Sequence, residues 1–186
     1  MRFLLVLLSI LSAQADQALP TQRTVSWAGW GAGSTLVCKQ TTQSWTNPAP
    51  YEEMDTWTVA ANDGKTVTGT KQIAVPGLEL RNYAFSEPVV STVVFQPTAK
   101  GTNPTSNAAP PEQALGYEDI AVPAGSFPRA LKTGSAQTII DADSTSTSWW
   151  ADGVPLAVKT VAVGHAKGGE TTTTTVLMSM SRVPPR

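Results

Sequence analysis

An antiparallel all-β fold is the class this 186-residue chain predicts. Three observations predict it. Threonine occurs 25 times, while charged residues make up only 15%, against about 25% in an ordinary soluble domain. β-Branched side chains are stiff at χ1 and suit a pleated surface. Fourteen Gly and fourteen Pro supply turns. Beyond the N-terminal run, apolar positions recur every second residue, and no helix-length amphipathic stretch competes with that period. A formal charge of −1 gives no electrostatic reason to capture nucleic acid or anionic lipid over the whole surface.

The elements follow in order. Met1-Arg2, the apolar run Phe3–Leu11 and the small-x-small site Ala13-Gln14-Ala15 have the order of a secretory signal peptide cut after Ala15. The mature chain is expected outside the cytoplasm, secreted or periplasmic. No later run is long enough to span a bilayer as a helix. Residues 16–33 have no steady period, and Gly29, Gly31 and Gly33 oppose a helix. A loose segment whose Trp27 and Trp30 pack on the body is expected. A single β domain then runs over 34–186. Leu36 and Cys38 alternate with Val37 and Lys39. Tyr51–Ala60 and Lys65–Val75 form a hairpin about Asn62-Asp63-Gly64, where Gly takes the positive φ of a tight turn. Leu78–Phe85 and Ser91–Gln96 are further strands. Residues 97–115, rich in Pro and Ala, read as a long surface loop, a connection in preference to a lid. Strands follow at Gly116–Val122, Phe127–Thr133, Ala136–Ile140, Thr145–Trp150, Val154–Val163 and Glu170–Ser181, nine or ten in all.

Catalytic chemistry finds little to stand on. His165 is the one imidazole, placed at a strand end, and no Gly-x-Ser-x-Gly is present. Cys38, the one cysteine, reads as a small buried hydrophobe and forms no intramolecular disulfide. Glu53 and Asp55 share one strand face and Glu52 the other, the pattern of a solvated strand start and not of a glycosidase pair. Asp141-x-Asp143-x-Thr145 lacks the Gly and Glu of a calcium loop. No metal site, no cofactor and no enzymatic activity are expected. The six tryptophans remain, with Trp149 and Trp150 adjacent, so that one ring enters the core and the other faces outward or into a cavity.

Two blocks carry a resemblance. Gly116-Tyr117-Glu118, Val122-Pro123-Ala124-Gly125-Ser126-Phe127 and Ala130-Leu131-Lys132 form the first. Trp149-Trp150-Ala151-Asp152-Gly153-Val154 with Val158-Lys159 forms the second. Together they resemble the TapB-like family, secreted bacterial domains of unknown function. Pro155-Leu156-Ala157 departs from the Gly-Leu-Val usual there. The resemblance implies a strongly curved antiparallel sheet or half-barrel, similar to lipoprotein-carrier-like envelope proteins, and no catalytic residues. Gly116, Glu118, Pro123, Gly125, Phe127 and Gly153 are then its structural motif. Trp57, Phe127 and Trp149 are the expected ligand-lining residues of the concave side. Three functions are weighed: a non-catalytic exported protein holding a lipid or other apolar ligand, an interaction module in cell-surface, pilus or secretion assembly with an envelope protein as partner, and an unrecognised hydrolase.

Overall fold

The Asn62-Asp63-Gly64 turn is built by its own side chains. Asp63 Oδ1 accepts from the backbone N–H of Thr66 at 2.7 Å and of Lys65 at 2.8 Å. Those bonds hold the Asp63 carboxyl below its usual range. Gly64 has φ 84°. The turn joins β3 (Asn47–Asn62) to β4 (Thr66–Ala74). Asn62 Nδ2 also donates to the carbonyls of Trp27 (3.0 Å) and Trp30 (2.9 Å), tying the N-terminal segment to this hairpin.

The structure, a computed structural model, describes residues 18–96, 111–139 and 142–185. Eleven strands lie among them, all paired antiparallel. The remaining nine are β1 (Gln22–Ser26), β2 (Thr35–Ser44), β5 (Arg81–Pro88), β6 (Val90–Val94), β7 (Glu112–Val122), β8 (Gly125–Ile139), β9 (Ala142–Trp150), β10 (Lys159–Ala166) and β11 (Gly169–Ser181). One nine-stranded sheet runs β5-β4-β3-β2-β11-β10-β9-β8-β7, and β1 pairs with β6 as a separate ribbon. The large sheet is therefore two meanders, β2 to β5 and β7 to β11, joined along the β2–β11 pair. The Pro123-Ala124 turn at the tip of β7–β8 reaches back to β11, where Ala124 N–H donates to the Leu177 carbonyl at 3.2 Å. Leu177 sits at a register shift that frees that carbonyl.

The core gathers where residues 27–30 meet the sheet. Trp27, Trp30, Leu36, Cys38, Val59, Val67, Val89, Ala130, Trp149, Val154, Val158 and Leu177 form one buried cluster. Trp27 stacks on Phe85 at 5.6 Å between ring centroids, and Phe85 meets Trp57 edge-on at 5.2 Å. Arg182 donates to the carbonyls of Gly29 (2.7 Å) and Ala28 (2.9 Å), and Ser34 Oγ exchanges bonds with the backbone of Val183. Residues 27–34 and 182–183 are thus folded onto the same cluster.

Several boundaries differ from the sequence reading, each for a physical reason. Segment 16–33 packs its tryptophans as expected but contains β1, a five-residue strand too short for a period to show. Glu112–Leu115 belong to β7 and not to the surface loop, because Glu112 is held by Arg23 and Thr133. Residues 97–110 of that loop, and the signal segment 1–15, lie outside the described residues. Phe127–Thr133 and the expected strand from Ala136 are one strand, β8, as far as Ile139; Ile140 lies outside the described residues. Gly134 does not break it, since the Leu115 side chain lies over that glycine, where an added Cβ would come within 2.9 Å. β10 starts at Lys159 and not at Val154, because Pro155 has no N–H for the ladder.

Gly125, φ 143°, closes the Val122–Gly125 turn with open space beside its α-carbon. Its constraint is therefore conformational and not steric. Gly125→Val should lower stability by about 1–3 kcal/mol, while His165→Ala leaves the thermal melt unchanged. Equal melting temperatures for the two variants would remove this account of the turn.

Candidate functional site

Lys132, Trp149 and Lys159 are direct cross-strand partners on β8, β9 and β10. Their side chains therefore stand on one face of the sheet in a single row. Each ammonium lies 5.2 Å from the Trp149 ring centroid, an attractive position over the electron-rich face. The Trp149 Nε1–H donates to Glu118 Oε2 at 3.1 Å, and Lys132 Nζ donates to the same oxygen at 3.0 Å. The indole bond first, and then the lysine, hold the Glu118 carboxyl below the usual carboxylate range. Trp149 is 8% exposed, so the lysine stems and the β7–β8 tip cover it. Glu118, Lys132, Trp149 and Lys159 come from four separate stretches of the two sequence blocks, and the fold brings them into one cluster.

The opposite face of the same strand is organised differently. Trp150 Nε1–H donates to Thr133 Oγ1 at 3.0 Å, and Thr133 Oγ1 donates to Glu112 Oε1 at 2.5 Å. Arg23, from β1, lays its guanidinium 3.4 Å from the Trp150 ring centroid and binds Glu112 Oε2 through Nε (3.2 Å) and Nη2 (3.0 Å). This network holds the β1–β6 ribbon on the sheet. Arg23 Nη1 is buried with no hydrogen-bond partner, so the latch is incompletely satisfied.

The expected ligand-lining residues separate. Trp149 is buried, and Phe127, half-buried, packs against the same cluster. The register runs unbroken from Trp149 through Lys159, Val176 and Lys39 to Met54. Trp57 is three residues beyond Met54 and therefore stands on the other face, against Phe85 and beneath Lys71. Trp57 and Trp149 therefore project from opposite faces of the sheet, although Trp57 and Phe127 both pack against the buried cluster that contains Trp149. Of the motif residues, Glu118 enters the cluster. Gly116 (φ 145°) sits at a register shift, Pro123 and Gly125 form the turn, and Gly153 (φ 74°) offers its carbonyl to Trp30 Nε1 at 3.0 Å.

Chemistry-bearing residues elsewhere are accounted for by structure. His165 faces Glu170 at 3.5 Å with both side chains 55% exposed. Burial pushes the Cys38 thiol up to about 11, helped by the Asp55 carboxylate and opposed by Lys71. Asp55 is paired with Lys71 at 2.6 Å and Glu52 with Lys39 at 2.7 Å. Among the described residues no group of His, Cys, Asp and Glu could hold a metal ion, and no helix is long and apolar enough to cross a membrane. Sequence reasoning quoted Lys132 and Lys159 within the two blocks without singling them out. Local alternation turns each lysine away from the apolar residue before it, and only the register across β8, β9 and β10 makes that face Trp149's.

Trp149→Ala should cost about 3–5 kcal/mol, as for a large aromatic removed from a core. Trp150→Ala should cost less, about 1–2 kcal/mol, and should raise hydrogen exchange in β1 and β6 selectively. A larger loss from Trp150→Ala in denaturant melts would reverse this assignment. Cys38, protonated in the fold, should resist thiol reagents at pH 8 until the protein unfolds. Its raised value adds no stability change below the unfolded thiol's value near pH 9. Stability should then fall between about pH 9 and pH 11, where only the unfolded thiol ionises. Native-state labelling at pH 8 at the rate of a free thiol would contradict the burial argument.

No family model and no curated protein matches the chain. Two solved structures are similar to it. One is a candidate exported protein with a YmcC-like fold from Bacteroides fragilis, at TM-score 0.54 and 10% identity, covering 83% of this chain and 100% of its own. The other is a candidate lipoprotein from Parabacteroides distasonis, at TM-score 0.54 and 11% identity, covering 84% of this chain and 99% of its own. At these identities the likeness concerns the fold.

Proposed function

We propose that the chain is an exported, non-catalytic protein that holds an amphiphilic ligand, a lipid or the acyl chain of a partner, against its sheet. One observation carries this reading. The two sequence blocks converge on the cluster of Glu118, Lys132, Trp149 and Lys159, which joins an aromatic ring and aliphatic stems to charged tips. Such a cluster suits an amphiphile and contains no nucleophile paired with a base. The signal-like order of residues 1–15 supports export, as do the descriptions of the two similar structures as a candidate exported protein and a candidate lipoprotein. The contact from Ala124 back to β11 supports a curved sheet of half-barrel type, as the TapB-like resemblance implies. Burial of Trp27 and Trp30 changes the expected mode of binding. Trp27 of the chain's own N-terminal segment covers apolar surface beside Phe85, which favours the Trp149 face for the ligand in this reading.

A second reading, an interaction module in surface assembly, is favoured by the sheet's ends. β5 is a terminal strand, with Tyr83 on it 46% exposed and Leu80 just before it 45% exposed, and such an edge accepts an added strand. Native mass spectrometry of the protein isolated from its own host separates the two. A bound lipid mass is the expected result. A stoichiometric protein partner without lipid would favour the second reading, and neither would overturn the first.

A further inference from the structure

Among the described residues, Lys159 is the lysine of this row that makes no direct ion pair, although its charge helps to hold the Glu118 carboxyl low. The row that begins Lys132, Trp149, Lys159 continues through Val176 to Lys39. At its two ends the lysines are paired, Lys132 with Glu118 at 3.0 Å and Lys39 with Glu52 at 2.7 Å. Lys159, between them, has no carboxylate within ion-pair reach among the described residues. It is half-buried, held over Trp149 and flanked by Val176. Glu118 cannot turn to serve it without giving up the Trp149 N–H and Lys132, both of which bind the same oxygen. The two ammonium groups that share the Trp149 ring lie no more than about 10 Å apart, each being 5.2 Å from its centroid. Their long stems can close further on one small anion.

We propose that Lys159, with Lys132, forms a binding site for a phosphate-type anion seated beside Trp149. The inference rests on the proposed amphiphile-holding function and names the headgroup. The apolar part of the ligand would lie along Val176 and the lysine stems. A phosphate could also arrive free in solution, and the chemistry of the site is the same for both sources. The whole chain carries a formal charge of −1, so general attraction to an anionic surface does not supply the binding. It has to come from the local pair. Glu118, a carboxylate at neutral pH, opposes an incoming anion and sets the affinity in the modest range.

The test uses the full mature chain with three probes: vesicles of phosphatidylcholine alone, vesicles of phosphatidylcholine and phosphatidylglycerol at 3:1, and inorganic phosphate. Co-sedimentation should favour the anionic vesicles by about tenfold. Lys159→Met, which keeps the apolar stem over Trp149, should abolish that preference, and Lys159→Arg should restore it. Glu118→Gln keeps an acceptor for the indole, removes the opposing charge and should raise binding about threefold. This second variant reports on the site even if Lys159→Met were to melt at a lower temperature. Equal binding to both vesicle types with no shift of the Lys132 and Lys159 signals by inorganic phosphate, or an unchanged preference in Lys159→Met, would overturn the site. Inorganic phosphate shifting the Lys132 and Lys159 side-chain NMR signals without vesicle binding would keep the anion site and remove the lipid reading of the function.

Discussion

The pairing of β2 with β11 is the constraint on which the sheet depends. Each meander can form from contacts between consecutive strands, but neither buries a full face alone. Thr35–Ser44 must find Thr171–Ser181 across most of the chain before nine strands become one sheet. Closing so long a loop is entropically costly and slow relative to hairpin formation. The seam is rewarded locally: Leu36, Cys38 and Leu177, all buried, lie along it, and Thr42 and Thr173 share a hydroxyl hydrogen bond at 3.0 Å. The terminal segments then lock it. Arg182, Ser34 and Asn62 hold residues 27–34 against the sheet with side chain to backbone bonds, placing Trp27 and Trp30 in the core.

Away from that core the strands become polar on both faces, a condition in which register is weakly specified because a one-residue slip exposes nothing new. Thr171 to Thr175 illustrate it, all half-buried and alternating between two similar surfaces. Register is fixed here by shape at the hairpin tip. Trp45 lies over Gly168 and Gly169, where any added Cβ would overlap its side chain, and the Trp45 backbone N–H donates to the Glu170 carbonyl at 3.1 Å. A slip would carry a residue with a side chain under the indole. The exposed Trp45 is therefore accounted for as a register pin.

The fold class was legible in the sequence because a two-residue period, Thr and Val enrichment and Asn-Asp-Gly chemistry all point the same way. The Asn62–Gly64 hairpin and the burial of Trp27, Trp30 and Cys38 followed from the same logic. The β1–β6 ribbon was not legible, since five residues of β1 carry no measurable period and their partner lies far along the chain. The site was half legible. Trp149 and Glu118 stood in recognisable blocks, but the row that unites Lys132 and Lys159 with them depends on three-strand register, which no local pattern encodes. Trp57 was misplaced for a related reason. Its face is defined only by counting through four intervening pairings, and that count puts it opposite Trp149.

Trp149 and Trp150 show how adjacent identical residues acquire different work from strand geometry alone. Alternation sends the two rings to opposite faces. On one face the indole N–H of Trp149 fixes a carboxylate that pairs directly with Lys132, which leaves Lys159 without a direct ion pair among the described residues. On the other, the Trp150 ring receives Arg23 and its N–H starts the chain through Thr133 to Glu112. A change at either ring is therefore transmitted through one peptide bond to the other face. The proposed anion site beside Trp149 and the docking of the β1–β6 ribbon on Trp150 share a single strand segment, and any shift of that segment moves both. The ribbon is the lighter body, a two-stranded piece held partly by an arginine with one unsatisfied nitrogen. Two strands without a sheet of their own are marginal, so displacement of the segment would be felt first as loosening of the ribbon.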